Sequence, residues 1–205
     1  MAISGATVGS EVERGRWAGL TVTSVDTEGG NISGVNITGA TLTDRWASYY
    51  GDVSGDIRLT DSAGTNNVYA WSWSPSSGGE VCLSQDGSFP WASAEAALRA
   101  DIDTAFGFGA GSDQAADTYT DASQTIDLAG LSTITTTGTA LQGSSSFVNR
   151  AVGDGTEAAE GDFAFCSEIE AGTNYNSESA NYEVMVPTSD SAGATETYYF
   201  FAELN

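Results

Sequence analysis

Val53-Ser54-Gly55-Asp56-Ile57-Arg58-Leu59-Thr60 alternates strictly, with Val53, Gly55, Ile57 and Leu59 on one side and Ser54, Asp56, Arg58 and Thr60 on the other. A period of two is the repeat of a strand with one buried face. Residues 61–67 supply turn residues, and Tyr69, Trp71 and Trp73 then alternate with Val68, Ala70, Ser72 and Ser74. The stretch therefore reads as a hairpin. Working outward, 75–79 is a turn and 80–84 a strand carrying Cys82, while 19–25 is the first strand upstream. Downstream come Thr-rich strands near 124–128 and 132–137, then 147–151 and 163–167, and firmer ones over 181–187 and 195–204. The last run is apolar on both faces, with Tyr199 and Phe201 on one and Tyr198, Phe200 and Leu204 on the other. That pattern predicts a strand in the middle of a sheet.

One segment changes period. After Pro90 and Trp91, the residues Ala94, Leu98, Ile102 and Phe106 recur every four positions, which predicts a single helix over 92–106. Pro90 and Ser93 suit its start and Gly107 its stop. Residues 107–121, rich in Gly, Ala and Asp, read as a long surface loop. The expected fold is mainly β: an antiparallel β-sandwich, jelly-roll or immunoglobulin-like, with one inserted α-helix. At 205 residues the chain suits a single domain over 1–205, with 1–16 as an extended N-terminal arm.

The chain carries 28 acids against 6 bases, all of them Arg, and a formal charge of −22, with neither Lys nor His. Such a surface repels nucleic acid and anionic lipid, because phosphate contacts need the basic side chains it lacks. Like charge at this density pushes a fold apart in dilute buffer, whereas molar salt shortens the Debye length to roughly 3 Å. Acidity without Lys therefore points to a high-salt organism. No window approaches the roughly 18 apolar residues of a membrane span, so direct membrane insertion is not expected. Residues 1–16 contain no apolar signal core. Either a leader is removed, or the protein is assembled inside a cell and released, as virion proteins are.

Without His, no Ser-His-Asp or Cys-His nucleophile can be built, and without Lys no phosphate loop. A carboxylate pair could hydrolyse a glycoside, but among so many acids such pairs arise by chance. No cofactor is expected. Calcium is the cation that suits the acids, with Asp113, Asp117 and Asp121, or Asp154, Glu157, Glu160 and Asp162, as candidate clusters; a solvated acidic surface accounts for the same residues. Cys82 and Cys166, the only cysteines, are expected to form a disulfide, stabilising by about 4 to 5 kcal/mol in the entropic description. Asn31 and Asn36 each open a glycosylation sequon, Asn31-Ile32-Ser33 and Asn36-Ile37-Thr38. The aromatics Trp46, Tyr49, Tyr50, Tyr69, Trp71 and Trp73 suit a core or subunit interface, or a sugar-stacking platform with glycans as partners.

Several elements in order carry a resemblance. They are Glu28-Gly29-Gly30-Asn31-Ile32, Arg45-Trp46, Tyr49-Tyr50-Gly51-Asp52-Val53-Ser54-Gly55, Ile57 and Leu59, Tyr69 and Trp71, Gly79-Glu80-Val81, and the ending Tyr198-Tyr199-Phe200-Phe201-Ala202-Glu203-Leu204. This order resembles a group of secreted archaeal surface proteins that have no assigned activity. Asp52 departs from it, standing where the group tends to have Asn. The resemblance implies an extracellular location and a β-rich surface fold. The expected function is a non-enzymatic structural subunit that polymerises with itself, in a filament, sheath or coat of a halophilic archaeon. A haloarchaeal virion protein, tail or capsid, is the first alternative, and a carbohydrate-binding or adhesive module the second. An N-terminal strand from residues 1–12, donated to a neighbour, would cap an open sheet edge.

Overall fold

The computed structural model describes residues 30–41, 43, 45–60, 66–111, 113–128, 131–188 and 196–205. The expected arm over 1–16, its donated strand over 1–12 and the strand over 19–25 lie outside the described residues.

In chain order the first strands are β1 (Gly30–Val35), β2 (Thr38–Thr41), β3 (Trp46–Gly51), β4 (Val53–Thr60), β5 (Asn67–Trp71) and β6 (Gly79–Ser84). A short β7 (Glu95–Ala96) precedes two helices, α1 (Arg99–Ala105) and α2 (Ala115–Thr118). Then follow β8 (Asp121–Ile126), β9 (Ile134–Ala140), β10 (Val148–Gly153) and β11 (Phe163–Glu168). The chain closes with β12 (Gly172–Thr173), β13 (Ser179–Ala180), β14 (Tyr182–Pro187) and β15 (Tyr199–Leu204). The fold is mainly β with antiparallel sheets, as expected.

The large sheet runs β15-β6-β11-β10-β9-β8, with β7 pairing alongside β10. β8 to β11 form a meander, and β6 and β15 extend it. A facing sheet, β14-β3-β2, packs on it, and a flanking sheet has the order β1-β4-β5. A β12-β13 ribbon completes the set.

Alternation builds two cores from one sheet. On β6, Val81 and Leu83 join the core beneath the facing sheet, while Cys82 points to the opposite face. On β11, Phe163 and Phe165 go one way, Ala164 and Cys166 the other. The larger core takes Trp46, Tyr182 and Val184 from the facing sheet, together with Ile102, Phe106 and Tyr119. The smaller one holds Phe89, Ile126 and Leu128, edged by Trp91 and Phe201. A strand buried on both faces reads as an unbroken apolar run, which is why β11 is buried from Phe163 to Ser167.

Three expectations need correction. The helix over 92–106 is shorter: residues 91–93 are a 3-10 turn, 95–96 are strand, and α1 begins only at Arg99. Pairing won over helical period, because Glu95 and Ala96 sit opposite Gly153 and Val152, and the Ala97 amide donates to Thr136 Oγ1. Leu98 is left 61% exposed, so only Ile102 and Phe106 of the predicted stripe anchor the helix in the core. The loop over 107–121 contains α2, whose Ala115 and Ala116 amides donate to the Asp103 carboxylate. Four residues are too few to show a period. Finally, among the described residues β15 is the outermost strand of the large sheet and not a central one, bonded there to β6 alone. Its apolar faces report cover above and below, where Phe200 meets Tyr49 and Phe201 meets Trp91.

Ile102→Ala is expected to cost about 2–5 kcal/mol by leaving a cavity in the larger core. Leu98→Ala, at an exposed site, is expected to stay within about 0.5 kcal/mol. Urea unfolding in molar KCl measures both, and equal losses would contradict the shortened helix.

Candidate functional site

Cys82 and Cys166 lie directly opposite each other on adjacent strands β6 and β11 and are disulfide-bonded, as expected. The bond staples the middle of the large sheet within the smaller core.

Beside it runs a row of acids that the sequence did not single out. Glu80 on β6 faces Glu203 on β15 and Glu168 on β11, so three carboxyl groups stand side by side across three strands. Glu80 is 5% exposed. Its burial, and then the charges of Glu203 and Glu168, push its carboxyl up to about 8. Arg150, on β10, works against this; it is itself buried and pairs with Glu168 at 3.1 Å. A cleft lined by Cys82, Trp91, Leu128 and Phe201 opens beside Glu80. Cross-strand register creates this row, so spacing along the chain could not reveal it.

Several acids of the two candidate calcium clusters accept hydrogen bonds from nearby residues. Asp121 accepts from the amide and hydroxyl of Ser123 and from Gln124, and these bonds lower its pKa. Asp113 contributes its backbone carbonyl to the Trp46 indole, and Asp117 stands in the first turn of α2. In the second cluster Asp154 accepts from the Thr156 amide, while Asp162 accepts from the amides of Ala158 and Ala159. Glu157 adopts a positive φ of 51° and meets Asp101 of α1 instead; its burial, then this contact, push its carboxyl up to about 7. Glu160 is raised too, by burial and by the charge of Glu196. Among the described residues no group of three or more His, Cys, Asp or Glu is placed to hold a metal ion.

The aromatic set divides. Trp46 is fully buried, Tyr49 packs edge-on against Phe200, and Tyr50 meets Tyr175. Trp73, beyond the end of β5, donates its indole N–H to the Gly78 carbonyl at the margin of the larger core. Tyr69 and Trp71, by contrast, are 58% and 42% exposed, and neighbouring Val68 is 76% exposed. All of β5 is exposed, and among the described residues it is the last strand of the flanking sheet. Register places Tyr69 beside Leu59 and Trp71 beside Ile57, so all four share one face. Val53 begins that face inside the larger core, and the apolar row then runs out toward solvent. The Tyr69 and Trp71 rings lie 4.9 Å apart at 70° to one another, an edge-to-face pair and not a flat platform.

Of the two sequons, Asn31 lies on β1, opposite Asp56. Asn36 follows β1 and is exposed, as is Thr38 two residues on. Its backbone is held firmly, for its amide donates to Asp52 and its carbonyl accepts from the Tyr182 hydroxyl at 2.7 Å. A Cβ on Gly51 would overlap that carbonyl, which accounts for the glycine.

The Glu80 carboxyl takes up a proton more readily in the folded chain, at about 8, than unfolded, at 4.5. The stability it contributes is complete below pH 4.5 and is lost as pH rises through 8. The unfolding free energy of the wild type should therefore fall between pH 5 and pH 9 by on the order of 4 kcal/mol, and Glu80→Gln should remove that part of the slope. An unchanged slope in the variant would show that Glu80 is ionised in the fold.

Comparison with family models, with curated proteins and with solved structures finds no match to this chain.

Proposed function

We propose that the chain is a non-enzymatic structural subunit of an extracellular assembly of a halophilic archaeon, in which copies of the chain contact one another. The observation that carries this is the strand Asn67–Trp71, exposed along its whole length and aromatic, on a chain of net charge −22. Residues 62–79 contain no charged side chain. An exposed apolar edge strand is a template for pairing with another chain, and soluble proteins ordinarily blunt such edges with charge. A chain with acids to spare that places none here has left this edge open to contact.

The acidity supports the setting. Copies at −22 repel one another through dilute buffer, where the Debye length is roughly 30 Å at 0.01 M, and cease to do so at molar salt, where it is roughly 3 Å. A disulfide in the large sheet fits an oxidising medium outside the cell. The resemblance to archaeal surface proteins points the same way, and the exposure of Asn36 and Thr38 supports use of that sequon on an exported chain.

Light scattering and electron microscopy from 0.1 to 3 M KCl test this. Ordered polymer is expected at high salt and high protein concentration, with dissociation on dilution into low salt. A chain that stays monomeric throughout would overturn the proposal.

A further inference from the structure

Resting on that assembly proposal, we infer that the free edge of β5 pairs antiparallel with β5 of a second copy, with Ala70 opposite Ala70 of that copy. Among the described residues nothing bonds to the outer side of β5, the last strand of the order β1-β4-β5. Val68, Tyr69 and Trp71 make up half of the large apolar side chains that are exposed among those described.

Charge selects the occupant. In an antiparallel self-pair each residue faces a residue of the same strand, and like charges directly opposite destabilise. Residues 62–79, β5 included, carry none, so self-pairing sets no like charges directly opposite each other. The other edge strands with described side chains are less suited. β8 opens on Asp121, β15 carries Glu203, β14 has its side chains buried and ends on Pro187, and β2 is four residues long. A basic partner would be drawn to the acidic faces instead of to this uncharged strand.

Face selects the register. Tyr69 and Trp71 share the apolar face with Leu59 and Ile57, and a one-residue slip would send the partner's rings to the opposite face. With Ala70 at the two-fold axis, Tyr69 stands opposite Trp71 of the second copy and Trp71 opposite its Tyr69. Four rings then lie together, continuous with the row that Val53 starts in the larger core. Aromatic cross-strand pairs are among the favourable ones. Such a contact is isologous and closes a dimer, so polymer growth uses further surfaces.

Ala70→Cys tests the register, because directly opposed Cα atoms roughly 4.5–5.5 Å apart are within disulfide reach. Mild oxidation in 3 M KCl is expected to give a covalent dimer on a non-reducing denaturing gel, reversed by reductant. Trp71→Asp, which sets a carboxylate on the shared face, is expected to weaken the dimer at least tenfold by sedimentation equilibrium, with an unchanged circular dichroism spectrum. If the wild type polymerises while Ala70→Cys does not cross-link and Trp71→Asp associates unaltered, the β5 contact is wrong and the assembly proposal stands. A wild type that stays monomeric in 3 M KCl would overturn the contact and the assembly proposal together.

Discussion

Strands β6 and β11 lie side by side in the large sheet with both faces covered, and most of the molecule is arranged to keep them so. Above Val81, Leu83, Phe163 and Phe165 sit the facing sheet, α1 and the Tyr119 ring. Below Cys82, Ala164 and Cys166 sit Phe89, Ile126 and Leu128. The disulfide joins the two strands at one register position, so slippage between them would have to break a covalent bond. Both helices contribute to this cover, through Ile102 of α1 and Ala115 of α2.

Electrostatics divides the protein into three zones. Among the described acids, many are partly or fully exposed, and several accept backbone amides of nearby residues, as Asp121, Asp154 and Asp162 do. A few are buried: Glu183 accepts from Ser48 and from the Tyr175 amide, and Glu80 stands between two other carboxyl groups with Arg150 near by. A buried acid that holds its proton avoids the cost of placing an unpaired charge in apolar surroundings. The third zone is the uncharged strand β5. Salt screens the first zone, leaves the second nearly untouched, and allows the third to be approached by another molecule of the same charge.

Much of the fold was legible because a covered sheet repeats every two residues. Val53–Thr60 was predicted to the residue, and β6, β10, β11 and β14 to within one or two. The helix was misjudged because Ala94 and Leu98 continue a period of four by coincidence, while β10 recruits residues 95–96 from far along the chain. The position of β15 was misjudged for a related reason: apolar faces record what lies above and below a strand and say nothing of what lies beside it.

Composition, alternation and the two cysteines determined by themselves the β class, the acidic surface, the absence of histidine chemistry and the partners of the disulfide, because these depend on residue identity and near neighbours. Only the tertiary structure decided that Trp46 is buried while Tyr69 and Trp71 are exposed, that Glu80 has Glu168 and Glu203 at its sides, and that Asp154 and Asp162 accept amides of their own loop. Each of those outcomes depends on which distant segment comes to lie against a residue. The same alternating pattern is satisfied by a core, by an interface or by open solvent, and the choice among them is made by cross-strand register and sheet stacking.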